Sequence, residues 1–347
     1  NEDGIYRHVG GVLDCWFESG AMPYAQAHYP FENKQRFHKG FPADFIAEGL
    51  DQTRGWFYTL NVLSVALFNK PAFKNVIVNG IVMAEDGKKM SKRLANYTQP
   101  DLLMQKYGAD ALRLYLIDSG LVKAEEQRFR DHDVKEIVRR TLLPWYHAFK
   151  FSHTYGTIDH WQVNNTNKTQ KNILDLWIIS RLHTLLGKIQ THMEAYALYH
   201  VVPELLHFIE ELTNIYIRLN RNRFWTTGLK EDKLQAYHTL YTVIYDLTRA
   251  LAPFAPFLAE HIFQQLKCFH STNYSTAASV HLCDYPKAQK NLQQPLLEQA
   301  VTRLQQIIVL GRQLRNTHKI KTKIPLKSLT IIHKDPLLLD EIKKLES

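Results

Sequence analysis

Phe45-Ile46-Ala47, then Gln52 to Leu67, then Asn75-Val76-Ile77-Val78-Asn79-Gly80-Ile81-Val82, and then Gly87-Lys88-Lys89-Met90-Ser91-Lys92-Arg93 follow one another in the chain. Phe45-Ile46-Ala47 and Val76-Ile77-Val78 read as buried strands, and residues 52–67 read as a helix between them. Strand, helix, strand and then a charged loop is the order of an α/β sheet, where ligands sit at the carboxyl ends of the strands. The loop gathers Lys88, Lys89, Lys92 and Arg93 around Ser91, with Gly87 just before them. A mobile lysine loop after a strand suits a triphosphate that is losing pyrophosphate, because it closes positive charge on oxygens gaining negative charge. A solvated cationic face, or an unspecific anion patch, is the competing reading of the same residues.

The segment Glu48-Gly49-Leu50-Asp51-Gln52 follows the first strand directly. Two carboxylates and an amide cluster there at a strand end, and Gly49 lets a backbone approach closely. Carboxylates suit ribose hydroxyls or an ammonium group; acidic capping of a helix start is the alternative. Trp16, in Leu13-Asp14-Cys15-Trp16-Phe17-Glu18-Ser19-Gly20, and Trp56 could both face a pocket or both be core.

The 347 residues exceed one average domain. Hydrophobic content of 45% allows sizeable cores and excludes a disordered chain. Lys and Arg number 43 against 34 Asp and Glu, a net charge of +9 that favours a polyanionic partner. Cys15, Cys268 and Cys283 are scattered, with no Cys-x-x-Cys and no zinc spacing, so a reducing compartment is expected and no zinc site. No apolar stretch approaches a membrane span and no signal peptide is visible. The chain opens on Asn1 rather than methionine, which reads as a fragment.

Past residue 100 the pattern turns helical. Pro100 to Leu116 reads as two helices, with Asp101 as a first cap and Tyr107-Gly108-Ala109-Asp110 as the break. Residues 156–169 read as a polar linker; Asn164 to Thr166 matches a glycosylation triplet by chance. Ile173 to Leu198 is helical, and Phe208, Leu212, Ile215, Tyr216 and Leu219 form a core stripe at helical spacing. Leu234 to Leu251 and Phe257 to Leu266 add helices separated at Pro253 and Pro256, which implies a bundle. Arg218 and Arg221 share a helix face flanked by asparagines and aromatics; RNA contact, a solvated face and an internal ion pair are all open. Leu296 to Arg315 is helical and Pro325 to His333 reads as a strand.

Lys89-Met90-Ser91-Lys92-Arg93 resembles the second signature of class I aminoacyl-tRNA synthetases, Lys-Met-Ser-Lys-Ser, with arginine in place of the last serine. Together with Asp14 to Ala25, Phe41 to Gly49, Asp51 to Tyr58, Lys106 to Arg113 and Leu251 to Phe257, it makes the chain similar to the isoleucyl-tRNA synthetases of the eukaryotic cytosolic type. The likeness is dense over residues 12–150 and looser beyond.

The resemblance implies an α/β fold followed by an all-α one. Residues 1–100 would be the C-terminal half of a Rossmann-type catalytic domain and 101–155 a connecting helical region. Residues 156–288 would be an anticodon-binding helical bundle and 289–347 the start of a small C-terminal α/β piece. It implies ATP-dependent activation of isoleucine and transfer to tRNA(Ile), in the cytoplasm, with a multi-synthetase complex as a candidate partner.

Lys89 and Lys92 would be catalytic, and Gly80, Met90 and Ser91 would join them against ATP and its magnesium. Glu48, Gly49 and Asp51 would hold the adenylate ribose, Gln52 its amino group, and Trp16 and Trp56 would wall the isoleucine pocket. Arg218 and Arg221 would contact tRNA. The family's first signature, His-x-Gly-His, is not found; His8-Val9-Gly10-Gly11 is a near miss, and the editing domain is also missing. The fragment alone is therefore expected to be inactive. A valyl or leucyl enzyme, or a non-catalytic tRNA-binding module, is the alternative.

Overall fold

Six residue pairs, from Ala43↔Phe73 to Gly49↔Asn79, join β1 (Ala43–Gly49) to β2 (Phe73–Asn79) in parallel. The computed structural model describes residues 14–163, 172–270 and 277–334, together with 4, 7, 10, 11 and 339. His8, Val9 and Leu13, and the glycosylation-type triplet at 164–166, lie outside the described residues. The chain divides into two compact units, 1–98 with 116–130, and 99–115 with 131–347. The second unit thus holds together three ranges that the sequence reading separates.

In the first unit, α1 (Cys15–Gly20), α2 (Met22–Ala25) and α3 (Lys34–Gly40) precede β1. A one-turn 3-10 segment, Leu50–Arg54, leads into α4 (Trp56–Phe68), which crosses over to β2. The helix read from Gln52 onward is therefore broken at Gly55. Ile46, Phe57, Leu60 and Ala72 form the core between α4 and the sheet, with Phe41, Trp56, Phe73 and Val78 packed on it. Tyr29, Phe37, Phe41 and Phe68 add a chain of ring contacts beside it.

The two strands are not buried on both faces, as the apolar runs suggested. Phe45 is 51% exposed and Val76 44%, because two strands carry one covering helix among the described residues. The outer side of α4 is likewise apolar and exposed at Tyr58, Val62, Val65 and Leu67.

The run from Asn75 to Val82 is also two strands rather than one. After Gly80 the chain enters β3 (Val82–Met83), which pairs in parallel with β4 (Gln127–Arg128).

The second unit takes in α5 (Pro100–Tyr107) and most of α6 (Ala109–Ile117), then α7 (Asp131–Ile137) and α8 (Leu143–Ile158). It continues with α9 (Ile173–Glu194), α10 (Leu198–Glu211), α11 (Arg218–Trp225), α12 (Glu231–Leu251), α13 (Pro256–Leu266) and α14 (Pro295–Thr317). The break at Gly108 stands where the sequence put it, with Gln99 rather than Asp101 at the first cap. Trp145, Trp177, Phe208, Tyr216 and Phe263 are fully buried.

A π turn at Leu212–Ile217 joins α10 to α11 and corrects the expected stripe. Each π turn inserts a residue and rotates the helix beyond it by about 100°. Phe208, Leu212 and Tyr216 are buried as expected, but Leu219 is 61% exposed and Asn220 and Phe224 turn inward instead. Pro325 to His333 carries no strand: no partner strand pairs with it among the described residues.

Buried charges tie the helices together. Arg223 donates Nη1 and Nη2 to the two oxygens of fully buried Asp175 at 2.8 and 2.9 Å, and Tyr216 donates to the same carboxylate at 2.6 Å. Burial, and then the Asp175 charge, hold the Tyr216 phenol well above its usual range. Arg181 lies between Glu211, at 2.9 Å, and Glu298, at 3.2 Å, so that α9 is bound to both α10 and α14.

Arg223→Ala would strand the Asp175 carboxylate without a counter-charge. Losing one partner of a buried pair costs about 3–5 kcal/mol. The expected result is a fall of that size in the unfolding free energy of the helical unit, read by urea denaturation followed by far-UV circular dichroism.

Candidate functional site

Parallel pairing aligns the carboxyl ends of β1 and β2, so Gly49 stands opposite Asn79. One side of this edge continues into the acidic turn. Glu48 and Asp51 are exposed, and the Asp51 carboxylate folds back over Gly49, where an added Cβ would meet its Oδ1 at 2.6 Å. Gln52 donates Nε2 toward Asp51 Oδ2 at 3.4 Å and accepts the Trp56 amide hydrogen at Oε1, 3.0 Å. It thereby caps α4, whose N-cap residue Gly55 has no side chain to do so.

Gly55 is required by close approach. Its added Cβ would lie 2.7 Å from Gln52 Oε1 and 3.0 Å from Trp16 Cη2. The Trp16 ring therefore rests on the glycine at the start of α4. Trp56 donates its indole N–H to Ser19 O at 3.1 Å. Both tryptophans lie where α1 packs on α4, the helix that follows the acidic turn in the chain, with Trp16 39% exposed and Trp56 half-buried.

The other side of the edge leads through Gly80 into the cationic loop. Gly80 donates its N–H to Leu121 O at 2.8 Å, and an added Cβ would fall 1.7 Å from Glu125 O. That close approach gives the position a packing reason to be glycine. Ala84 and Gly87 close a tight turn through Ala84 N–H to Lys88 O and Gly87 N–H to Ala84 O, both 2.9 Å. Lys89 then bridges back to Met83.

Asp86 occupies Lys88, with Oδ2 at 3.6 Å from Nζ and Oδ1 accepting the Lys88 N–H at 3.0 Å. Lys89, Lys92 and Arg93 are exposed and pair with no carboxylate among the described residues. Within the cluster, then, charges remain available for an external anion at Lys89, Lys92 and Arg93.

Sequence reasoning missed the residue that shapes this loop. Asn96 accepts the Ser91 N–H at 2.9 Å and donates Nδ2 to Lys89 O at 3.2 Å, pinning both flanks of Met90. An asparagine five residues beyond the serine belongs to no periodic pattern; its ability to donate and accept at once was the available signal. Among the described residues no group of three or more His, Cys, Asp or Glu side chains could hold a metal ion. No helix among them is long and apolar enough to cross a membrane.

The helical unit carries a second candidate surface. Arg218 and Arg221 are exposed on α11 without an ion pair among the described residues, while Arg223 on the same helix takes the internal pair. Asn222 and the 54% exposed Trp225 continue their face, and Trp225 is oriented by its indole N–H to Tyr155 OH at 2.9 Å. The π turn before α11 is what directs this row outward.

Residues 1–128 match the family of tRNA synthetases class I (I, L, M and V), and residues 175–331 match the anticodon-binding domain of tRNA ligase. The isoleucine--tRNA ligase of Bdellovibrio bacteriovorus is 50% identical over 340 residues, covering 98% of this chain and 32% of the relative. The cytoplasmic isoleucine--tRNA ligase of Mus musculus is 47% identical over 350 residues, covering 98% of this chain and 28% of the relative. The chain thus spans about a third of the length of the curated relatives it matches. Bacterial and mouse sequences are alike in their nearness.

Among solved structures, the LeuRS–tRNA–LeuAMS ternary complex of Agrobacterium radiobacter K84 superposes with a TM-score of 0.64 at 18% identity, over 82% of this chain and 34% of that one. The Mycobacterium tuberculosis methionyl-tRNA synthetase in complex with methionyl-adenylate gives 0.60 at 19% identity, over 71% and 48%. The fold is accordingly the later part of a Rossmann-type domain followed by a helical anticodon-binding domain.

Gly80→Ala is expected to force the Glu125 backbone away. Overpacking of this kind costs about 1–3 kcal/mol. Thermal unfolding of the purified variant should show the loss, and an unchanged melting temperature would contradict the close approach.

Proposed function

We propose that the chain belongs to the class I tRNA synthetases and is the C-terminal portion of an isoleucine--tRNA ligase, which joins isoleucine to tRNA(Ile) in the cytoplasm at the expense of ATP. The reading rests most on one observation: unpaired Lys89, Lys92 and Arg93 lie on the loop after β3, which the chain reaches through Gly80 from the end of β2, and Glu48 and Asp51 follow the aligned end of β1. Residues 1–100 then contribute half of the catalytic domain, 156–288 the anticodon-binding bundle, and 101–155 their connection.

In the first step an isoleucine carboxylate oxygen attacks the α-phosphorus of ATP, the bond to the bridging oxygen breaks, and pyrophosphate leaves. Lys89 and Lys92 take up the charge that develops on the departing phosphates, with Met90, Ser91 and Gly80 lining the nucleotide. Magnesium would arrive on the phosphates of ATP itself. Glu48, Gly49 and Asp51 hold the ribose hydroxyls, since exposed carboxylates at a strand end accept hydroxyl hydrogens.

The Gln52 carbonyl that caps α4 has a second lone pair for the isoleucine ammonium. Trp16 and Trp56 supply an apolar wall beside it. Such a wall separates isoleucine from valine by one methylene only, worth about 1–3 kcal/mol. In the second step a terminal ribose hydroxyl of the tRNA displaces AMP. Arg218 and Arg221 contact the RNA backbone, and the oriented Trp225 offers a ring for an unstacked base.

The test is ATP–pyrophosphate exchange by the complete enzyme with isoleucine, valine and leucine. Isoleucine-dependent exchange is expected to dominate; a larger valine signal would sink the assignment, and tRNA binding without exchange would favour a non-catalytic module. Lys92→Ala should lower kcat about 100- to 1,000-fold with little change in the KM for isoleucine. Equal losses in both would argue against a role confined to the transition state. Replacing Arg218 and Arg221 together by alanine should weaken tRNA binding and flatten its salt dependence by about 1.4–1.8 in log–log slope. Exchange without tRNA should persist in that variant.

A further inference from the structure

The segment from Leu121 to Phe129 runs alongside the entry to the cationic loop, and both belong to the first compact unit. Gly80 donates to Leu121 O and faces Glu125 O at close approach. Gln127 then donates its N–H to Ile81 O and Phe129 its N–H to Met83 O, both at 2.9 Å. In the resulting ladder Met83 stands opposite Arg128. Lys89 pairs with Met83 in the antiparallel sense. Directly paired residues of neighbouring strands point their side chains to the same face. Arg128, Met83 and Lys89 therefore share one face, with Met83 between the two cations.

The chain travels from Met83 to Lys89 by the turn at Ala84 to Lys88, and Gly87 lets it close. Gly87 has φ +78°, a backbone conformation that side chains disfavour. A Cβ added there would lie 3.2 Å from Cζ, from Nε and from Nη2 of Arg128. A point equally distant from three atoms of a planar group stands over that plane. The Arg128 guanidinium therefore lies flat across the bare side of Gly87. The hydrogen bonds that close the turn are internal to the 83–89 hairpin and leave its tilt open. Arg128 reaches the tip from a different strand. A planar guanidinium suits this seat, whereas the compact, hydrated ammonium of a lysine does not lie flat. The chemistry proposed above gives Arg128 no task.

We propose that Arg128 is a positioning residue for the cationic loop: its guanidinium holds the Gly87 turn from outside, fixes where the chain re-emerges at Lys89, and so presets the approach of Lys89 to the departing phosphates. The catalytic half of this inference rests on the isoleucine-activating reading above; the mechanical half, the restraint of the turn, does not.

The experiment compares the complete enzyme with its Arg128→Ala, Arg128→Lys and Gly87→Ala variants by hydrogen–deuterium exchange and by ATP–pyrophosphate exchange. In Arg128→Ala the amides of 84–89 should exchange faster while those of β1 and β2 keep their protection. The kcat of isoleucine activation should fall about five- to tenfold, with KM for ATP and isoleucine within about twofold of the parent. Arg128→Lys, which keeps the charge and loses the plane, should recover neither loss. Gly87→Ala lifts the guanidinium from the same seat, so its kcat loss combined with that of Arg128→Ala should fall short of the product of the two.

Unchanged protection over 84–89 with unchanged kcat in Arg128→Ala would overturn the proposal. So would a raised KM for ATP that Arg128→Lys restores, because Arg128 would then be a phosphate ligand acting by charge. A parent enzyme without isoleucine-dependent exchange would sink the functional reading instead, and protection of 84–89 alone would then decide on the restraint. Arg128 is exposed, so its truncation leaves the core intact.

Discussion

Parallel pairing of β1 and β2 is the constraint on which the candidate site depends. Parallel strands cannot be joined by a tight turn, so the chain must cross over, and α4 does so. The crossover returns both strands in the same direction and leaves Gly49 and Asn79 at one edge. The acidic turn leaves β1 at this edge, and the chain leaves β2 at the same edge on its way through Gly80 and β3 to the cationic loop. The backbone hydrogen bonds of the ladder suffice to align the two strand ends.

A second kind of constraint governs the helical unit. Asp175 with Arg223, Arg181 with Glu211 and Glu298, and Asp110 with the α13 start each bury charge, which is costly unless matched. Each match is possible in one helix register only. These pairs therefore select an arrangement among apolar packings that would otherwise compete closely. Lys233 shows the same logic, with its ammonium held by Asp159 at 2.5 Å and by Thr226 O at 2.8 Å.

Much of this was legible in the residues. The order strand, helix, strand, loop, the break at Gly108 and the helices after residue 170 were all written in local patterns of apolar residues, glycine and proline. The pairing of Lys88 with Asp86 was not, nor the task of Asn96, because both depend on how a turn closes. The stripe from Phe208 to Leu219 failed at Leu219 because periodicity assumes an unbroken α-helix, and a π turn shifts the phase. Pro325 to His333 had strand-like composition, but a strand is a relation between two segments and composition describes one. The exposure of Phe45 and Val76 has the same origin: an apolar run states that a face can be covered, not that it is.

By itself the sequence determined the class of most segments, the residues able to carry charge to a triphosphate or to RNA, and the family signature at Lys89 to Arg93, because these depend on residue type and near-neighbour spacing. Only the tertiary structure decided which of those charges remain free. Lys88, Arg223, Asp110 and Arg113 are bound to partners within the protein, whereas Lys89, Lys92, Arg218 and Arg221 pair with none among the described residues. The physical reason is that a charge is available to a ligand only when nothing nearer neutralises it, and nearness between residues far apart in the chain is set by packing, not by order.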